Sequence, residues 1–361
     1  MKITFNLQGA GPANNGGTST LFNSANILHG MGHEVQIVAE VDNEFTWFLL
    51  DGPTYIKTNG FVPDYPDARA IIATGAHTVQ HTLNAPASKG SKFWWVRAHE
   101  TWSMDEDALI ANYRNHRIEL LVNSICLRHL IFKKSKRRVE IIRPGIDLDK
   151  FYLIQERDWS SKTEFVIGGL YNTKPRKRFD WVIEVFEACK ARGLNVKLHL
   201  YGTYDEPNHT GHELYLKTPT QEQLNTFYNG VDFWIAPTKS EGLHIPPQEA
   251  MLCECLVIGA KEPLSGMADY LLDKGGGYTG FTMEYWSEAI DLIEGLIGNP
   301  GQIREIVKRG RDWILKMGNR QTNIEGLVKV LNKGEHPNNV ARRLFALRRR
   351  GFAIENSRHR A

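Results

Sequence analysis

The chain alternates short apolar runs with segments of helical period twice over, and the alternation pauses once near the middle. In the first array, KITFNL (2–7), EVQIVA (34–39), RAIIA (69–73), FWWVRA (93–98), ELLVN (119–123) and RVEII (138–142) read as strands. A helix is expected from about Thr18 to His29, with Leu21, Ala25 and Leu28 on one face. The second array brings EFVIGG (164–169), VKLHLY (196–201), DFWIA (232–236) and LVIGA (256–260), with helices over 179–190, 284–298, 301–317 and part of 322–333. Strands that are apolar throughout and separated by helices form parallel sheets covered on both faces. Two such arrays in series predict two Rossmann-like, doubly wound domains facing across a cleft, with ligands beyond the carboxyl ends of the strands. The boundaries read as 1–145 for the first domain, 146–160 for a connection, 161–335 for the second domain and 336–361 for a tail.

Composition supports two ordinary cores. The chain has 361 residues, 42% hydrophobic and 24% charged, as in globular domains. Its net charge of +3 is unevenly spread. Residues 341–361 carry seven Arg against Glu355, so the rest of the chain is mildly acidic. The apolar run after Met1-Lys2 is too short for a secretory core, and no stretch approaches the roughly 18 residues of a membrane helix. The four cysteines suggest no disulfide framework, and the lone pair Cys253 and Cys255 has no partner pair for a metal. A cytoplasmic setting is expected, with no metal and no cofactor.

Two loops carry candidate chemistry. After the first strand, Gly9-Ala-Gly11 and Gly16-Gly17 could bring backbone amides to a phosphate or sugar. Asn14 stands where a dinucleotide fingerprint wants its third glycine. A plain connection, or a nucleotide-cofactor site completed by Glu40, are the other readings of that loop. The second stretch, VDFWIAPTKSEGLHIPPQEAMLCECLVIGA (231–260), reads as strand, loop, helix, strand. Pro246 and Pro247 mark a helix start, which would place Glu249 in the first turn. Glu249 could then accept from ribose hydroxyls, and Glu241 could reach a sugar hydroxyl. The amides of Gly242, Leu243, His244 and Ile245, aided by the helix dipole, would face a diphosphate between them.

This second stretch resembles the donor-site signature of family 4 glycosyltransferases, retaining enzymes of the GT-B fold. The family form is close to E-G-F/L-G-L-P-x-x-E-A-M-A-C-G-x-P-V. Glu241, Gly242, Leu243, Pro246, Glu249, Ala250, Met251, Cys253 and Val257 stand in register with it. VEIIRPGIDLDKFY (139–152), VIGGLYNTKPRKRF (166–179), the diglycine and His99 fall in the family's order, so the resemblance covers about residues 1–335. It implies a retaining, metal-independent transfer from a UDP-, GDP- or dTDP-linked sugar to a carbohydrate, lipid-linked or other hydroxyl acceptor. Residue by residue, it implies that Glu249 binds the ribose, Glu241 the transferred sugar and Lys177 the diphosphate. His99 would line the sugar pocket, and Gly17, beside Gly16, would let the backbone approach the donor or acceptor.

Departures from the pattern are specific. Leu170 stands where the family commonly has Arg, a charge that Arg176 or Arg178 would have to supply. His244 replaces a frequent Gly, and Glu254-Cys255-Leu256 replaces G-x-P, which predicts an irregular helix end. A sugar-nucleotide epimerase and a non-catalytic sugar-nucleotide or glycan-binding protein share these features. A metal-dependent transferase would use D-x-D, which Asp105-Glu-Asp107 and Asp147-Leu-Asp149 match in letters. The basic run 132–138 reads as a solvated turn. The tail 342–360 mixes Arg with Leu344, Phe345 and Phe352, and is expected to touch an anionic membrane or an acidic partner. No basic groove interleaved with aromatics points to nucleic acid.

Overall fold

A computed structural model describes residues 1–9, 12–60, 64–274 and 277–333. The tail 336–361, and Ala10 and Gly11 of the first loop, lie outside the described residues.

The first sheet contains β1 (Lys2–Asn6), β2 (Glu34–Ala39), β3 (Thr54–Lys57), β4 (Ala70–Ala73), β5 (Ser91–Val96), β6 (Glu119–Val122) and β7 (Glu140–Ile141). It is parallel, in the order β3-β2-β1-β4-β5-β6-β7. Helices α1 (Gly16–Gly30), α2 (Val79–Asn84), α3 (Glu106–Arg114) and α4 (Ile125–Ser135) connect its strands. The second sheet contains β8 (Phe165–Tyr171), β9 (Val196–Gly202), β10 (Leu214–Lys217), β11 (Phe233–Ala236) and β12 (Leu256–Ala260). After a short ribbon, β13 (Asp273–Lys274) and β14 (Gly277–Tyr278), it closes with β15 (Phe281–Met283). Its order is β10-β9-β8-β11-β12-β15, also parallel. The helices of this half are α5 (Phe179–Ala191), α6 (Gln221–Asn229), α7 (Ile245–Leu252), α8 (Trp286–Ile297), α9 (Pro300–Lys316) and α10 (Arg320–Lys333).

The central strands were legible because both their faces are covered: AIIA of β4 and LVIGA of β12 are buried at every position. Among the strands absent from the sequence reading, β3 (TYIK) and β10 (LYLK) are short edge strands, exposed or half-buried along their length. Helix α1 begins at Gly16 rather than Thr18, with Asn15 as its cap accepting from the Thr18 amide at 3.0 Å. The diglycine is therefore the first turn of a helix and not loop. Strand β5 ends at Val96, so Arg97 and Ala98 of the run read as strand, and His99 after them, lie beyond it.

Packing also reassigns two segments. Ile146 and Phe151 join the apolar cluster around Tyr228 and Trp234, and Trp159 joins the cluster around Phe186. The stretch read as a connection thus covers the second sheet. Helix α10, inside the bounds 161–335 read for the second domain, buries Ile324, Leu327 and Leu331 against Ile3, Phe22 and Leu28 of the first. At about 1.5–3 kcal/mol per buried side chain, this return tethers the domains firmly. The two crossings run side by side: the Arg320 amide donates to the Ile146 carbonyl at 3.2 Å. Gly145 (φ +70°) leaves no room for a Cβ, which would lie 2.6 Å from the Asn319–Arg320 backbone.

Candidate active site

In each sheet the strand order reverses once, between β1 and β4 and between β8 and β11. The chains leaving these strands diverge and open a crevice at the carboxyl ends. In the second domain that crevice gathers charge. The chain after β8 forms a single 3-10 turn, Pro175–Lys177, while the chain after β11 leads to Glu241. Lys177 Nζ donates to Glu241 Oε1. Arg176 donates to the Ser240 carbonyl at 3.2 Å and stands 3.6 Å from the same Glu241 oxygen. Burial alone would raise the Glu241 carboxyl, but Lys177, His244 and Arg176 hold it below the usual carboxylate range. On its other side the Arg176 guanidinium lies 4.7 Å from the ring of Trp102, an exposed residue of the first domain. Arg178 is turned away, paired with Glu262 at 2.6 Å and stacked on Trp181.

The loop between Glu241 and α7 is held from both sides. The Glu241 carbonyl accepts from the Gly266 amide at 3.0 Å. The amides of Gly242, Leu243 and His244 donate to no acceptor among the described residues. They lie at the amino end of α7, where backbone N–H groups and the helix dipole favour an anion. Leu243 is buried, and His244 caps the helix with φ +59°. Its imidazole is pushed down to about 4 by burial, with Nδ1 left unpartnered. Helix α7 starts at Ile245, one residue before Pro246, so Glu249 is the fifth helical residue and lies past the first turn.

Glu249 and His99 have partners outside this cluster. The Glu249 carboxylate is buried and accepts from Tyr228 O–H at 3.2 Å, which in turn shares a 2.7 Å hydrogen bond with Tyr201. Burial pushes the Glu249 carboxyl up to about 7, against the opposing charge of Arg320. His99 is 5% exposed. Its Nδ1 meets Tyr113 Oη at 3.2 Å, and its Nε2 stands 3.7 Å from Glu106. Burial lowers its basicity. Leu170 packs beside the apolar cluster under the sheet. Among the carboxylates with D-x-D spacing, Asp105 caps α3 and Asp147 pairs with Lys150 at 3.2 Å. Glu40, the dehydrogenase-like acid, accepts from Gln8 Nε2.

Two residues that organise the cleft were missed by sequence reasoning. Arg97, just past β5, is half-buried. It donates to the carbonyls of Gly17 and Thr74, the latter at 2.7 Å, and so joins the chains that follow β1 and β4. Its own carbonyl accepts from Asn123 Nδ2 at 3.1 Å and faces Gly242 of the second domain. An arginine at the end of the otherwise apolar run FWWV was the available signal. Asp269 is the second. Its carboxylate accepts from the Ile125 amide at the start of α4, at 3.1 and 3.0 Å, and from Arg143 at 2.9 Å. Nothing in its local sequence announces contacts with residues 144 and 126 positions away.

Two doubly wound domains, a charged crevice at the second switch point and free amides at a helix start make up the GT-B architecture of glycosyltransferases. Residues 162–299, most of the second domain, match the family described as Glycosyl transferases group 1. The poly(ribitol-phosphate) α-N-acetylglucosaminyltransferase of Staphylococcus aureus is 20% identical over 279 residues, 73% of this chain. The chain spans about half, 55%, of that relative's length. In structure it is similar to Anabaena HepE in complex with UDP-glucose (TM-score 0.74, 16% identity, covering 92% of this chain and 100% of that one). It is similar also to the sucrose-phosphate synthase of Thermosynechococcus elongatus (TM-score 0.71, 15% identity, 96% and 100%). Among the described residues no helix is long and apolar enough to cross a membrane.

Proposed function

We propose that this chain transfers a sugar from a nucleotide sugar to a hydroxyl acceptor with retention at the anomeric carbon. One observation carries the reading: Lys177 and Arg176 from one side of the β8/β11 switch point meet Glu241 from the other. Two cations facing a loop of free amides suit a departing nucleoside diphosphate. The negative charge that develops on the leaving oxygen is stabilised by groups already in place, which avoids reorganisation during the reaction. Glu241 orients Lys177 and accepts from a hydroxyl of the transferred sugar. Glu249, kept partly ionised by Arg320, accepts from the ribose.

In the same-face displacement, the bond from the anomeric carbon to the diphosphate oxygen breaks as the acceptor oxygen approaches from that side. The acceptor proton passes to the departing phosphate oxygen. Lys177 and Arg176 supply the charge that a divalent ion supplies in other transferases, so EDTA should leave turnover unchanged. A UDP-sugar is the first donor to test, since the HepE structure holds UDP-glucose. The acceptor is a glycan or lipid-linked sugar, and the basic tail 341–361 attaches the enzyme to an anionic surface.

The test is a screen of UDP-, GDP- and dTDP-sugars for thermal stabilisation and for hydrolysis without acceptor. One nucleoside class should raise Tm and be hydrolysed, with loss of both in Lys177→Ala. A chain that none of the donors stabilises, and that hydrolyses none, would overturn the proposal.

A further inference from the structure

Helix α4 ends in the basic run Phe132-Lys-Lys-Ser-Lys-Arg-Arg138, and the structure divides its charges into two groups. Lys134 pairs with Glu106 at 2.8 Å. Arg137 is nearly buried and donates to the carbonyls of Tyr113, Asn115 and Ile118 at 3.2, 2.7 and 2.8 Å. These two hold α3, α4 and the start of β6 together, so this part of the run is structural and not a solvated turn. By contrast, the side chains of Arg128, one turn before the run, and of Lys133 and Arg138 within it have no hydrogen-bond or ion-pair partner among the described residues. Lys136 sits 6.0 Å from the ring of Phe132. Arg128 and Arg138 line one open cavity of about 380 Å³ between α4 and β7, walled also by His129, Phe132, Val139 and Glu140.

We propose that this cavity binds the phosphate or sulfate groups of an anionic glycan chain. A guanidinium offers a planar fork of donors that matches a tetrahedral oxyanion, and its geometry is set in advance. Two unpaired guanidiniums on one cavity repel each other, and Glu140 is the only carboxylate on its wall among the described residues. A bound anion relieves that repulsion. Lys133 and Lys136 extend the positive surface beyond the cavity, where a second anionic group of the same chain finds a partner. An anionic bilayer suits the surface less well. Helices that lie on membranes bury a row of apolar side chains, whereas the one large hydrophobic exposed here is Phe132. The charges also converge on a depression and not on a flat face. The proposal concerns binding alone and does not depend on the transfer chemistry argued above.

The test uses the full chain with Arg348, Arg349 and Arg350 changed to Gln throughout, so that the tail contributes less to every titration. The probes are a heparin-derived sulfated oligosaccharide, inorganic phosphate, and phosphatidylglycerol vesicles. The oligosaccharide should bind in a salt-dependent way, and the pair Arg128→Gln with Arg138→Gln should weaken it about tenfold or more without lowering Tm. Bound oligosaccharide should also slow amide hydrogen exchange over residues 128–140, a readout that needs no variant. Equal affinity in the double variant, or protection confined to other segments, would overturn the proposal. So would vesicle binding that the variant abolishes while the oligosaccharide is unaffected, or inorganic phosphate matching the oligosaccharide in affinity.

Discussion

Gly242 of the second domain lies against the main chain of Arg97 in the first, so closely that a Cβ on Gly242 would fall 1.5 Å from the Arg97 carbonyl oxygen. The same oxygen accepts from Asn123, and the Arg97 guanidinium holds the Gly17 and Thr74 carbonyls. The absence of one side chain therefore lets the free amides of the second domain approach the switch point of the first.

Gly242→Ala should separate the domains. Overpacking costs about 1–3 kcal/mol when neighbours can shift, and here the neighbour is backbone on another domain. Opening is the cheaper relief. Small-angle scattering should show a larger radius of gyration, and turnover should fall about tenfold or more. Unchanged scattering and turnover would mean that the domain contact plays no part in the reaction.

Lys177→Ala should lower turnover by about two orders of magnitude with the fold intact, as removal of a preorganised charge-stabilising group does. Arg176→Ala should cost less, because its guanidinium is shared between the Ser240 carbonyl, Glu241 and the Trp102 ring. The reverse ranking in steady-state kinetics would assign the leaving-group contact to Arg176.

Glu249 and His244 should give stability opposite slopes with pH. The Glu249 carboxyl is raised from 4.5 to about 7. Its contribution is thus present in full below about 4.5 and lost as pH rises through 7. The His244 imidazole is lowered from 6.5 to about 4. Its contribution is present above about 6.5 and lost as pH falls through 4. Glu249→Gln should therefore gain stability relative to wild type between pH 5 and pH 8, by up to about 3 kcal/mol for a shift of this size. Urea midpoints at the two pH values measure it. The same variant should weaken nucleotide binding in calorimetry, and unchanged affinity would remove Glu249 from the ribose.

Glu254→Gly should stabilise the chain. Glu254 has φ +58° at the end of α7, a left-handed conformation that costs an L-residue about 1–2 kcal/mol. Its ion pair with Arg311, at 3.5 Å, is long and partly exposed. A gain of about 1 kcal/mol in the urea midpoint is expected, and a loss would show that the Arg311 contact outweighs the backbone strain.

Glu254 and His244 also show where sequence reasoning ran short. Both were visible as departures from a glycine in the resembled pattern, but their shared cause was not. Each occupies a positive φ, at opposite ends of the same helix. The backbone kept the shape that glycine permits while the side chains changed. Periodicity likewise placed the buried strands closely, because a strand covered on both faces must be apolar at successive positions. It missed β3 and β10, whose edge positions impose no such demand.

The sequence by itself determined the two parallel arrays, the helix whose first turn holds the paired prolines, and the chain segments that carry Lys177, Glu241 and Glu249. These follow from local patterns of burial and backbone restriction that are written along the chain. Only the tertiary structure decided that Lys177 and Arg176 meet Glu241, that Arg97 joins the chains after β1 and β4, and that Gly242 lies against the Arg97 carbonyl. Those arrangements depend on which strands become neighbours and on how closely two domains approach. Strand order and domain contact are settled by burial summed over the whole molecule, and no single segment records them.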